Sequence, residues 1–164
     1  IAKRTSILVL CLRFMKHSFF YLFLMLVISC EAQNTTETNS FNGRILPENV
    51  CRIVKDGGTE RPFTGEFWDH KEEGIYTCVA CDNPLFSSQE KYRSGSGWPS
   101  YYDVLSKGKV KKVDDFSFGM KRIEIQCADC EAHLGHLFND GPQPTGLRYC
   151  VNSASLKFIP KIDE

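Results

Sequence analysis

Two sets of cysteines carry the chemistry open to this sequence. The first is a single residue in Arg148-Tyr149-Cys150-Val151-Asn152. Side chains alternate along a strand, so Arg148, Cys150 and Asn152 there share one face. A fixed positive charge favours the thiolate of a neighbouring cysteine, and the thiolate is the nucleophile. Taken alone, the same residue also reads as a small hydrophobe in a core strand. The second set is paired: Cys78-Val79-Ala80-Cys81 and Cys127-Ala128-Asp129-Cys130. Each turn offers two sulfurs to one metal. Two such turns complete a zinc site of four thiolates, which is closed and therefore structural. Cys81 and Cys127 lie 46 positions apart, so the metal would staple distant strands. Two disulfides are the competing reading for an exported protein. A thioredoxin-like redox pair is a third, but no βαβ context surrounds either turn.

A third cluster is Ala132-His133-Leu134-Gly135-His136-Leu137-Phe138-Asn139-Asp140. Its two histidines suit metal binding, acid chemistry or structural hydrogen bonding. With four thiolates assigned to zinc, the last two remain. Trp98-Pro99-Ser100 follows the loop Ser94-Gly95-Ser96-Gly97 and offers an exposed aromatic or a core side chain.

The elements that must position these residues are short strands and turns. Residues 74–80, 110–114, 121–127, 133–138, 147–152 and 156–159 are rich in alternating or β-branched residues. Their spacing of about ten residues, with turns such as Asp140-Gly141-Pro142, predicts antiparallel β structure with little helix. Leu46 to Val54 is ambiguous between a helical turn opened by Pro47 and an extended arm.

Residues 1–29 hold four basic residues and no acid, which leaves a net charge of −4 on the rest of the 164-residue chain. Nothing there points to nucleic acid. Met15-Lys16-His17 opens a basic segment, and the twelve residues from Ser18 to Ser29 are apolar. That length fits a signal-peptide core and is short for a membrane span. Val27-Ile28-Ser29-Cys30 is similar to a bacterial lipoprotein cleavage box, with the bulky Ile28 as a departure. Cleavage before Cys30 and a lipid on it would place the protein outside the cytoplasm, anchored to a membrane and facing the periplasm or the exterior. An ordinary signal peptide or an uncleaved anchor is the plainer alternative. Residues 30–42 are polar and read as a flexible tether, and 43–164 as one catalytic domain.

Gly58 to Gly65 (GTERPFTG), Ser94 to Ser100 (SGSGWPS), Ala132 to His136 (AHLGH) and Arg148 to Ala154 (RYCVNSA) together resemble the methionine-R-sulfoxide reductases, MsrB. The likeness spans about residues 46–160 and includes both CxxC pairs. It implies two antiparallel sheets pinned by a four-cysteine zinc site, and thiol-dependent reduction of the R epimer of methionine sulfoxide, mainly within proteins. It implies Cys150 as nucleophile, with His133, His136, Asp140, Arg148 and Asn152 around it and the sulfoxide oxygen. Trp98 would take the S-methyl group. Histidine suits proton transfer near neutral pH, and sulfur packs well against aromatic rings. The product is a Cys150 sulfenic acid, which a second thiol converts to a disulfide. A thioredoxin-type donor then reduces it. Ser96 stands where many relatives carry that second thiol. Cys51 is the only cysteine of the domain without another assignment, and becomes the candidate resolving thiol; direct reduction by an external thiol is the alternative. Two functions from other classes remain open: a zinc-stabilised binding module without catalysis, and a cysteine hydrolase using Cys150 with His133 or His136.

Overall fold

The computed structural model describes residues 39–162. The leader, Met15, Cys30 and the tether up to residue 38 lie outside the described residues. A hairpin opens the fold, pairing β1 (Ser40–Phe41) with β2 (Arg44–Ile45). It begins inside the stretch that composition reads as tether. Then comes α1 (Glu48–Val54), whose first amides, Val50 and Cys51, donate to the Pro47 carbonyl at 2.9 Å. Proline sits well at such a start because its fixed φ and missing N–H suit the first turn. Glu48 and Arg52 then lie at the favourable ends of the helix dipole. The ambiguity over this segment thus resolves as helix. Cys51, Ile53 and Val54 are its buried face.

The remaining strands are β3 (Gly74–Cys78), β4 (Pro84–Ser87), β5 (Lys91–Tyr92), β6 (Ser100–Tyr101), β7 (Val110–Asp115), β8 (Arg122–Cys127), β9 (His133–Phe138), β10 (Arg148–Val151) and β11 (Leu156–Pro160). They form a six-stranded sheet in the order β5-β6-β10-β9-β8-β7 and a three-stranded sheet in the order β11-β3-β4. All the paired strands are antiparallel. This is the mainly β, two-sheet architecture the sequence predicts, with one α-helix among the described residues.

The core lies between the two main sheets. Tyr76 and Phe86 of the smaller sheet meet Tyr101 and Tyr149 of the larger. Phe86 stacks on Tyr101 with ring centroids 4.3 Å apart, and Tyr76 meets Tyr101 at 5.3 Å. Tyr76, Phe86 and Tyr101 are fully buried, and aromatic side chains bury the most area per residue. In β10, Tyr149 and Val151 point into this core while Arg148 and Cys150 are only half-buried. The alternation places Cys150 on the opposite face from the core.

No helix among the described residues is long and apolar enough to cross a membrane.

Candidate active site

The metal cluster is built from two turns of the same shape. Asp82 donates its amide to Cys78, and Glu131 donates to Cys127, both at 2.9 Å. Asp82 and Glu131 both adopt positive φ, 62° and 61°. Each turn therefore curls its two thiols inward. The four Sγ atoms lie within 4.8 Å of one another, with Cys78 to Cys130 at 3.7 Å and Cys81 to Cys127 at 3.5 Å. These are not disulfides, since all six described cysteines are free. Tetrahedral zinc with Zn–S near 2.3 Å sets its sulfurs about 3.8 Å apart, so the donor set fits that ion. Asn83 donates to the Cys127 sulfur at 3.3 Å, an outer hydrogen bond of the kind that orients a ligand. The hydrogen bond from Cys78 and then Asn83 pull the Cys127 thiol down, to about 4, against burial. The same hydrogen bond and burial push Cys78 up. A metal here ties the β3–β4 turn of one sheet to the β8–β9 turn of the other, and with four thiolates it has no position left for substrate.

Cys150 faces a separate cavity of about 150 Å³, with Trp98, His136, Asn152, Arg122 and Thr59 in its wall. His136 is the cross-strand neighbour of Cys150 in the β9–β10 pairing. Gly135, beside it, has no alternative: a Cβ there would collide with the Cys150 carbonyl. Trp98 is held by its indole N–H, which donates to the Glu60 carbonyl at 3.1 Å. Asn152 is buried. Its side chain accepts from the Glu60 amide at 3.1 Å and donates to the Leu134 carbonyl at 3.2 Å.

Arg148 and Asp140 flank this cavity as a two-pronged ion pair, Nε–Oδ1 and Nη2–Oδ2 both 2.8 Å. The guanidinium also lies 4.2 Å from the Phe138 ring centroid. Arg148 favours the Cys150 thiolate, as expected, but burial outweighs it. Burial pushes the thiol above its ordinary value; Ser96, whose hydroxyl is 3.9 Å from Sγ, and Arg148 lower it by less. Removing a thiolate from water outweighs a charge already spent on Asp140. Arg148 in turn holds the Asp140 carboxyl below its usual range.

The two histidines separate. His136 lines the cavity, and its Nε2 lies 2.8 Å from Asp115 Oδ2. Burial lowers its pKa, against a raising contribution from Asp115. His133 sits behind it, buried, with ring centroids 5.6 Å apart and Nδ1 2.6 Å from Glu124 Oε1. It is not in the cavity wall.

Cys51 is not brought to Cys150. It is 4% exposed in the core cluster, its thiol 3.8 Å from the Leu46 carbonyl, and it lines no wall of the Cys150 cavity. Of the two readings of this segment, helix or arm, the helix is the one formed, and Cys51 lies on its packed face.

The SelR domain model matches residues 46–160. The peptide methionine sulfoxide reductase MsrB of Herminiimonas arsenicoxydans is 58% identical over 122 residues, covering 73% of this chain and 89% of that protein. Its namesake from Pseudomonas aeruginosa strain UCBPP-PA14 is 57% identical over 116 residues, covering 71% and 88%. That from Hahella chejuensis is 57% identical over 113 residues, covering 69% and 81%. The chain belongs to the MsrB family. In this MsrB chain, four of the expected site residues, Trp98, His136, Cys150 and Asn152, meet at one cavity, with Arg148 and Asp140 at its flank and His133 behind.

Sequence reasoning missed Glu60, Asp115 and Arg122. Glu60 ties the loop after α1 to the site: its carboxylate accepts from the Ser153 and Ala154 amides at 2.6 and 3.1 Å. It sits in a Gly- and Pro-punctuated loop with no periodic signal. Asp115 and Arg122 look like ordinary charges at a hairpin end, and only strand pairing carries them to β9.

Proposed function

We propose that this chain reduces the R epimer of methionine sulfoxide, mainly in proteins, using Cys150 as the nucleophile. One observation carries the reading: in an MsrB chain, the Cys150 thiol shares a solvent-facing cavity with an indole, an imidazole and a buried amide. Trp98 takes the S-methyl group. His136 handles the proton at the sulfoxide oxygen. Asn152 holds the loop that carries Glu60, whose carbonyl in turn accepts from the Trp98 indole. The Arg148–Asp140 pair fixes charge beside the thiol. In the net step, thiol and sulfoxide become sulfenic acid and thioether. Oxygen moves from the substrate sulfur to Cys150, two electrons pass the other way, and the thiol proton ends on the transferred oxygen. A second thiol then displaces water from the sulfenic acid to form a disulfide. Zinc at Cys78, Cys81, Cys127 and Cys130 holds the two sheets together.

For that second thiol, Cys51 is the candidate within the described residues. It reaches Cys150 only if α1 unpacks, and each buried apolar side chain so exposed costs about 1.5–3 kcal/mol. The burial of Cys51 favours an external dithiol of the thioredoxin type. That donor forms a mixed disulfide with Cys150 and clears it with its own second thiol. Multiple turnover with thioredoxin should survive Cys51→Ser; its loss would give the second step to Cys51. The reaction itself is tested with separated R and S sulfoxides and dithiothreitol, followed by mass mapping of oxidised cysteines. Turnover of the R epimer with an extra oxygen trapped on Cys150 is expected. Equal turnover of both epimers, or none, refutes it.

We further propose that the domain works outside the cytoplasm, anchored through a lipid on Cys30. The basic and apolar leader and the box at Val27 to Cys30 support this. Metabolic labelling with palmitate that persists in Cys30→Ser would remove the anchor.

A further inference from the structure

The strongest unassigned feature is the carboxylate of Asp115. It sits at the end of β7, an edge strand, yet it reaches across β8 to the cavity histidine on β9. Its Oδ2 lies 2.8 Å from His136 Nε2 and 2.7 Å from Arg122 Nη2. Its Oδ1 accepts the Ser117 amide at 2.8 Å, and the Ser117 hydroxyl contacts Arg122 Nη2 at 3.0 Å. Asp115 and Arg122 are paired in the β7–β8 register. The carboxylate is therefore clamped from two sides before it meets the imidazole.

We propose that Asp115 is the positioning residue of this site: it holds His136 as the Nε2–H tautomer, leaving Nδ1 to carry a proton between the Cys150 thiol and the sulfoxide oxygen. The inference rests on the reaction proposed above. A carboxylate only accepts, so the nitrogen facing it must carry hydrogen. A partner on one ring nitrogen settles which nitrogen is left for chemistry. Arg122 makes the arrangement rigid, since it anchors the same oxygen that His136 uses. The balance of the step calls for such a shuttle. Thiol plus sulfoxide gives sulfenic acid plus thioether with no net proton, so one proton leaves sulfur and one arrives on oxygen. A neutral imidazole next to a protonated thiol does both. The directions at the two groups agree with that state: burial lowers His136 and raises Cys150.

The charged and titratable groups packed around His136 are few. Asp115 comes from β7, Arg122 and Glu124 from β8, His133 from its own strand, and Cys150 and Arg148 from β10. Asp115 raises the imidazole; Arg122 and His133 lower it. Removing Asp115 should therefore move the acid limb of the pH–rate profile to lower pH while the plateau falls.

The test combines kinetics with a spectroscopic readout. Nitrogen-15 NMR of the histidines in the wild-type, zinc-loaded protein should show His136 protonated at Nε2 and bare at Nδ1 near neutral pH. Asp115→Ala should lose this preference and slow single-turnover reduction of an N-acetyl methionine R-sulfoxide at least about tenfold, within the range general acid–base catalysis supplies. Its acid limb should shift down, its KM should change little, and Asp115→Glu should recover part of the rate. Iodoacetamide labelling of Cys150 and zinc content should stay at wild-type levels. A wild-type His136 protonated at Nδ1, or an Asp115→Ala enzyme with unchanged rate and limb, overturns the proposal. Should Asp115→Ala fail to fold, the wild-type tautomer decides alone. Wild-type protein inactive on the R-sulfoxide strikes the reaction itself; an active enzyme with the wrong tautomer strikes only the role of Asp115.

Discussion

The four-cysteine cluster and the Cys150 cavity use the same atom for opposite ends. In the cluster, sulfur is surrounded by sulfur. Two turns, each closed by a residue of positive φ, aim four thiols at one point, and an amide from Asn83 steadies one of them. In the cavity, one thiol stands among an indole, an imidazole and a serine hydroxyl, with a vacant volume in front of it. The first arrangement has no room for a substrate and the second has no second sulfur for a metal. A cysteine's chemistry is thus set by what its neighbours let it hold, more than by the thiol itself.

The comparison breaks most visibly if a cluster cysteine proves dispensable. Cys127→Ser should lose zinc and fail to give folded protein. Structural zinc contributes roughly 10–16 kcal/mol in zinc-finger peptides, about as much as a whole domain's stability of about 5–15 kcal/mol. Metal analysis and thermal melting check this; full zinc content and an unchanged Tm would end the structural assignment. Cys150→Ser should do the reverse. Zinc and Tm stay within a few degrees of wild type, while single-turnover reduction of the R-sulfoxide falls below detection.

Smaller effects sharpen the contrast. Burial raises the Cys150 thiol, so it should alkylate slowly at neutral pH. Its iodoacetamide rate should keep rising with pH beyond the ordinary thiol range, near 8.5; a plateau below pH 8 would contradict the burial argument. The smallest effects concern the neighbours. Ser96 lowers Cys150 and Asp140 raises it. Ser96→Ala should therefore move the alkylation curve to higher pH and Asp140→Asn to lower pH, each by a few-fold in rate at a fixed pH, read by mass spectrometry of the labelled peptide.

Much of this was open to reading in the chain itself. Strand β9 matches its sequence expectation residue for residue at 133–138, because alternation is a local signal that pairing only completes. The metal site was legible because two CxxC turns state their geometry within four residues each. The helix at Glu48–Val54 was half-legible: Pro47 marks a possible start, but seven residues carry too little period to separate helix from arm. The two-residue strands Lys91–Tyr92 and Ser40–Phe41 left no pattern to find.

The order of residues by itself determined which sulfurs pair off for metal, which one stands alone on a strand, and that Arg148 shares its face. Those are consequences of backbone periods of two and of tight turns, and they act over a few residues. Tertiary structure alone decided the rest. It buried Cys51 on the packed face of α1, spent the Arg148 charge on Asp140, and let desolvation raise the Cys150 thiol. It also carried Asp115 from an edge strand to His136, 21 residues on. Burial and cross-strand contact depend on which distant segments fold over a group, and no window of sequence around the group contains them.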